Sequence, residues 1–558
     1  RSTRQATLFP YTTLFRSAIV AATIMPTQWR RVCSSAARWL GSPLRHPMRA
    51  AFFVALALGF TVNLYCWTNS LFSHDSLRID QTVDAAHEIA IGRYLIPVLW
   101  WLRGWLASPY VAGLCGLVLL AGAIAAIVWL FRLERRLDIY LLSALLTVNT
   151  CITLVNATYV GYFDSMMLSL LCAVLVVVVW KKWRRGWIAA IPLALMTLAL
   201  YQVYLEATVV LAVLISLVRY WEGSSGKAIA RNLGMLLLGL AAAFCLYYCV
   251  WQWALALFQI SASASNNSVA SLGGFDLVAL LAYTAKAYIR PLVYMIEPET
   301  HATFLCGALN AALFIGGVAA CLRVGCRSRA RHGLAVTALS FLLMPLLCDF
   351  VAVASRELFH GLMIWPWYLM YYLPAILALD RLHPATVREG FAQRSSAPCL
   401  ACCVAGLLLV ASNALYANQV YVARDLQSQA TLSIMTRIVD RVEQLHDYAP
   451  GTTPVILIGD LNANPNYKGM SDGFARARPP WDICGVGKCY AVGTFPNFGV
   501  TYHESFWNYA RFVLHLKIDV PLEDGVNSGM EPDGLAMEPF PATDSVTFQD
   551  GVVFVRLS

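Results

Sequence analysis

Apolar runs of about 20 residues recur along this chain, and every second gap between them carries a cluster of Arg and Lys. The first run, Met48 to Trp67, follows Arg30, Arg31, Arg38, Arg45 and Arg49. Runs near Val111 to Phe131, Tyr140 to Ala157 and Phe163 to Trp180 come next, separated by Arg132-Leu133-Glu134-Arg135-Arg136 and by the uncharged turn Asn156 to Tyr162. Lys181-Lys182-Trp183-Arg184-Arg185 then precedes Trp187 to Tyr220, which is too long for one crossing and divides at Tyr201-Gln202. Further runs lie near Leu233 to Leu257, Phe304 to Cys321, Gly333 to Ala354, Gly361 to Leu379 and Pro398 to Tyr416. Between them, Phe275 to Ile296 carries Asp276, Lys286 and Arg290 among tyrosines, a pattern suited to a helix lying in the membrane interface. The count is about 11 spans, and all basic clusters fall on one side. Only a polytopic α-helical membrane protein satisfies this pattern.

Composition agrees. The 558 residues are 59% hydrophobic and 13% charged, with a mean hydropathy of +0.60, whereas a soluble domain carries about 25% charge. The net charge of +9 sits in the loop clusters that the positive-inside rule produces, so nucleic-acid binding is discounted. Most of the 16 cysteines, Cys66, Cys151 and Cys172 among them, lie inside apolar runs and act there as small hydrophobes.

The organisation expected is a cytoplasmic segment 1–47, a membrane domain 48–416 and an external domain 417–558. The segment Ala6 to Ser17 resembles translated adapter sequence, and residues 1–24 are set aside, the first Met being Met25. No cleavable signal peptide is expected, so the first helix stays as an anchor. Parity of the spans places the tail outside. In the tail, Ser428 to His446 has helical apolar spacing, and Pro454 to Gly459 and Val552 to Leu557 read as strands, giving a small α/β fold. Cys484 and Cys489 are expected to form a small-loop disulfide in that oxidising compartment. A zinc site lacks a second pair of ligands.

The polar insert after the first span carries His74-Asp75-Ser76-Leu77-Arg78, and Gly92-Arg93-Tyr94 follows it. Other external polar groups are Asp80, Asp84, Asp164, Gln202, Glu206, Lys286, Arg290, Asp349, Arg356, Glu357 and His360. For Asp80, Asp84, Asp349 and Glu357 taken singly, solvation or structural pairing is the favoured reading. As a set, cations and carboxylates recurring on one face point to a substrate cavity. A lipid-phosphate-sugar donor would call for Arg at its phosphate, a carboxylate as base and aromatic surfaces for ring and tail. Trp365-Pro366-Trp367-Tyr368 and Tyr371-Tyr372 supply aromatics, which an interfacial belt explains equally well.

An acidic first external loop after the first span resembles the GT-C superfamily of membrane glycosyltransferases. More narrowly, His74-Asp75-Ser76-Leu77-Arg78 followed by Gly92-Arg93-Tyr94 resembles the type-two serotype-converting (Gtr) O-antigen glucosyltransferases, whose motif is Asp-Asp-x-x-Arg and then Gly-Arg-Pro. Two positions depart from it: His74 replaces the first Asp and Tyr94 the Pro. The resemblance implies transfer of a glucosyl or other hexosyl group from a polyprenyl-phosphate-linked donor to a lipid-linked surface polysaccharide. It assigns Asp75 as the catalytic base, with Arg78 as the motif Arg and Arg93 in the Gly-Arg pair, and the Tyr201-Gln202 junction fits it; the external polar set adds His74, Asp164, Glu206, Arg290, Arg356 and His360 as candidates around the substrates. No metal ligands are assigned and no cofactor is certain; a divalent cation finds no support from a paired acidic motif. Two readings from other classes share the hydropathy: a lipid-linked saccharide flippase, and a non-catalytic component of a polysaccharide assembly complex. Flippases and transporters favour internal repeats, and none is evident here.

Overall fold

The structure is a computed structural model, and it describes residues 46–69, 85–105, 108–263, 277–296, 304–356, 361–382, 397–458, 464, 509–511, 513–517 and 537–558. His74, Asp75, Arg78, His360, Cys484 and Cys489 lie outside the described residues.

The protein is mostly helical, with a small sheet at its C-terminal end. Its elements are α1 (Pro47–Thr68), α2 (Ala85–Ala90), α3 (Ile96–Leu102), α4 (Pro109–Phe131), α5 (Arg136–Thr147), α6 (Thr150–Tyr159), α7 (Phe163–Lys182), α8 (Gly186–Tyr201) and α9 (Leu205–Trp221). There follow α10 (Gly226–Phe258), α11 (Leu277–Tyr294), α12 (Phe304–Arg327), α13 (Gly333–Leu347), α14 (Phe350–Ser355), α15 (Trp365–Leu382) and α16 (Ala397–Glu443). Prolines open α1 and α4, where a missing N–H costs nothing, and the Asn149 side chain caps α6 by accepting from Ile152 N at 3.1 Å.

Seven helical segments among the described residues are long and apolar enough to cross a membrane, where about 11 spans were expected. Two of the seven, of 47 and 36 residues, far exceed the roughly 20 that a bilayer core needs. Each is broken by a short 3-10 turn, Val160–Tyr162 in the first and Gln202–Tyr204 in the second. The second break is a hairpin. Arg219, near the end of α9, donates to the Lys181 carbonyl at the end of α7 at 3.5 Å, and α8 starts just beyond Lys182. Both outer ends of the α8–α9 pair therefore meet, and Tyr201-Gln202 turns at the far end, as the sequence divided it.

The basic clusters gather at that same end. Arg135 donates to the Leu379 carbonyl at 3.4 Å and to Cys399 Sγ at 3.0 Å, and Arg381 pairs with Glu222 at 3.3 Å. At the opposite end, Trp67 Nε1 donates to Asn156 Oδ1 at 2.6 Å, tying the end of α1 to the end of α6. Tight packing holds the bundle: a Cβ on Gly113 would come within 2.5 Å of the Trp67 indole, so only glycine lets α4 approach there. Small residues at helix contacts and such interhelical hydrogen bonds are what bind helices in lipid, where burial from water supplies no drive.

α16 is a single helix of 47 residues, about 70 Å long. The sequence suggested a separate span and a separate amphipathic helix. No Gly or Pro occurs between Leu407 and Glu443, so nothing interrupts the helix. It begins beside Arg135 at the basic end, passes Tyr65 (whose hydroxyl donates to Asp425 at 2.7 Å), and emerges at the opposite end. There Ile434, Met435, Ile438 and Val442 pack on a three-stranded sheet of order β1-β3-β2. β1 (Val455–Ile458) runs parallel to β3 (Val552–Arg556), and β2 (Val546–Gln549) is antiparallel to it. β2 was not expected from the sequence. Its sign was Asp550-Gly551, whose φ values of 52° and 81° make the two-residue turn that a tight hairpin requires.

Candidate functional site

The turn Ile91-Gly92-Arg93 sits between α2 and α3 at the end opposite the basic clusters. It is held almost entirely through its backbone. Gln202 Nε2 donates to the Ile91 carbonyl at 3.1 Å, Tyr247 hydroxyl to the Gly92 carbonyl at 3.1 Å, and Trp251 Nε1 to the Ile89 carbonyl at 2.7 Å. Leu95 N reaches the Ala199 carbonyl at 3.1 Å. Gly92 has φ +87°, and a Cβ there would collide with the Tyr247 hydroxyl. Gly92→Ala is expected to lower stability by about 2 kcal/mol, from left-handed strain plus the displaced tyrosine; thermal unfolding of the purified protein measures it.

This scaffold aims Arg93. The side chain is 8% exposed, and its guanidinium carbon lies 4.5 Å above the centre of the Tyr201 ring. Glu88, also buried, accepts from the Tyr162 hydroxyl at 2.9 Å. Burial by itself disfavours the Arg93 charge, yet Tyr201, Glu88, Tyr162 and Tyr159 around it hold its pKa above the usual arginine range. Arg93 is therefore a fixed, preorganised cation. Arg93, Tyr201 and Gln202, far apart in sequence, come together here. Asp164 lies nearby in a different role: it pairs with Arg103 at 2.8 Å, and Arg103 also donates to the Gly161 carbonyl at 2.7 Å. That makes it a brace for the chain after α3.

A second polar group lies one helical turn beyond Gln202. Glu206, in the first turn of α9, is fully buried, and its Oε1 accepts from Val351 N at 2.9 Å at the start of α14. Asp349, also fully buried, precedes the same helix and lies within electrostatic reach of both Glu206 and Arg290. Neither Asp349 oxygen, nor Glu206 Oε2, accepts a hydrogen bond from a described residue. Arg290 lies 6.0 Å from the centre of the Trp367 ring. Arg356 is at the other end of α14, with φ 56°. No group of three or more His, Cys, Asp or Glu side chains that could hold a metal ion occurs among the described residues.

Sequence reasoning missed Glu88 and set Asp349 aside. The available sign was their setting: a carboxylate among apolar helical residues is expensive unless it faces a partner. The aromatic run of α15 is also corrected. Trp365, Trp367, Tyr368, Tyr371 and Tyr372 are at most 1% exposed, so they form neither an interfacial belt nor an open sugar platform. Their polar atoms are used internally: Trp365 Nε1 donates to the Leu146 carbonyl at 3.1 Å, Trp367 Nε1 to the Cys348 carbonyl at 3.0 Å, and the Tyr371 hydroxyl to the Pro291 carbonyl.

Together these features define a helical membrane protein with a buried cation on an aromatic ring and a carboxylate cluster close by, at the end of the bundle away from its basic loops. The family model described as glucosyl transferase GtrII matches residues 64–378. The chain belongs to that family. The matched range runs from the end of α1 into α15, and so includes the first polar loop, Arg93 and the Glu206–Asp349–Arg290 group. No curated protein and no solved structure matches the chain significantly.

Proposed function

We propose that this chain transfers a glucosyl or other hexosyl group from a polyprenyl-phosphate donor to a lipid-linked surface polysaccharide of the O-antigen type. The reaction takes place at the periplasmic face of a bacterial inner membrane, on a GT-C-like fold of about 11 crossings. The observation that carries this reading is Arg93, buried on Tyr201 at the non-basic end of a GtrII-family bundle. Basic loops mark the cytoplasmic side, so the opposite end faces a compartment without nucleotide sugars, and a lipid-linked donor fits it. The C-terminal sheet lies at that same end.

In this scheme an acceptor hydroxyl attacks the anomeric carbon. Its oxygen forms the new glycosidic bond, its proton passes to the Asp75 carboxylate, and the bond from C1 to the phosphate oxygen breaks. The electron pair leaves with the polyprenyl phosphate. Arg93, with Arg78, offers a planar fork to that phosphate as its charge grows. Arg290 and Arg356 serve as further cations, and Tyr201, Gln202, Glu206, His74 and His360 shape the sugar and acceptor pockets.

Membranes containing the protein, incubated with labelled polyprenyl-phosphate-glucose, are expected to label the polysaccharide covalently only when acceptor is present. Movement of donor across the bilayer without transfer would support the flippase reading instead.

A further inference from the structure

A cavity of about 550 Å³ opens at the basic end, at the opposite end of the bundle from Arg93. It lies where the ends of three long helices and the start of α1 meet. Four cations line it: Arg132 after α4, Lys181 and Lys182 ending α7, and Arg219 in the last turn of α9. Glu134 is the single carboxylate on its wall. The half-buried pair of cations is committed to backbone, Lys181 to the Leu130 carbonyl and Arg219 to the Lys181 carbonyl. The Arg132 and Lys182 side chains are exposed and donate no hydrogen bond to a described residue, the Lys182 ammonium lying 5.8 Å from the centre of the Trp183 ring.

Solvated loop charges spread apart; these converge from separate helices on one concavity. Glu222 also acts on Lys181 and Arg219, yet the wall keeps an excess of positive charge, which in a space that size favours an anion with several acceptor oxygens. The chain's own N-terminal segment does not suit it, because Arg30, Arg31, Arg38 and Arg45 repel the same cations. An apolar track continues from the cavity. Trp129 lines it and is 37% exposed, and Val118, 42% exposed, lies about three turns, or ~16 Å, further along the same face of α4. A ligand with an anionic head and apolar tails matches both parts.

We propose that this cavity binds the phosphate headgroup of an anionic phospholipid from the leaflet on the basic side, with its acyl chains along the Val118–Trp129 face. Basic pockets between helix ends on the cytoplasmic side are suited to such headgroups. The proposal is independent of sugar transfer.

The test uses purified full-length protein in mixed micelles, titrated with phosphatidylglycerol, with phosphatidylcholine and with inorganic phosphate, read by native mass spectrometry and thermal shift. Phosphatidylglycerol is expected to bind and stabilise, and the other two to do neither. The double variant Arg132→Asn and Lys182→Gln, at exposed positions and with Asn suited to the positive φ of 55° at Arg132, is expected to weaken phosphatidylglycerol binding roughly tenfold or more. Lys182→Gln alone should weaken it by about threefold to fivefold. Arg329→Gln, a cation of the same end outside the cavity, should leave it unchanged. Equal stabilisation by phosphatidylcholine, an equal response to phosphate alone, or wild-type affinity in the double variant would overturn the proposal.

Discussion

Arg93→Lys is expected to lower glucosyl transfer by two to three orders of magnitude, on the order expected when one oriented electrostatic group aimed at developing charge is removed. The charge survives in Lys, but two other properties do not. The guanidinium carbon lies 4.5 Å from the centre of the Tyr201 ring, a contact a point ammonium reproduces poorly, and only the planar fork offers two parallel N–H groups to a phosphate. Arg93→Ala should behave differently. Glu88 is 3% exposed and within electrostatic reach of Arg93, so deleting the cation leaves a buried carboxylate without its counter-charge, at a cost of about 3–5 kcal/mol. The Ala variant should therefore yield little folded protein, and the Lys variant should fold but work poorly. Initial rates normalised to monodisperse protein in detergent separate the two. A Lys variant as fast as wild type would remove Arg93 from the phosphate site.

The second large effect concerns Arg290. Asp349 and Glu206 are both fully buried and lie within electrostatic reach of one another, with Arg290 acting on Asp349. Arg290→Met is expected to destabilise by about 2–3 kcal/mol, because two desolvated carboxylates are then left facing each other. Arg290→Met combined with Asp349→Asn should recover more than half of that loss, since the buried acid on which Arg290 acts is gone. The coupling is read from thermal unfolding of the four proteins in a double-mutant cycle. Additive effects would show that the three groups do not form one electrostatic unit.

Much of the membrane fold was legible because lipid leaves few options. A spanning segment must satisfy its own backbone, so each apolar run reads as a helix, and the Tyr201-Gln202 break showed itself by length alone. Arg93, Tyr201 and Gln202 were singled out from sequence and do converge. What escaped the sequence was tertiary. Glu88 looks like an ordinary polar residue of a short helix until Tyr162, from another helix, is seen to donate to it. Asp349 gains its meaning only from Glu206 and Arg290, which are supplied by α9 and α11. The α15 aromatics have the composition of an interfacial belt, and only their burial shows them to be core. Continuity of α16 across the expected domain boundary needed the joint absence of Gly and Pro over a long stretch, a weaker cue than the change in hydropathy.

The account rests most heavily on Asp75 as the group that takes the acceptor proton. Its direct test is transfer from labelled polyprenyl-phosphate-glucose by membranes carrying Asp75→Asn at matched expression. Loss of transfer by about 10²-fold to 10⁴-fold, the usual contribution of a positioned general base, with donor still bound, is the predicted result; transfer at the wild-type rate would contradict it.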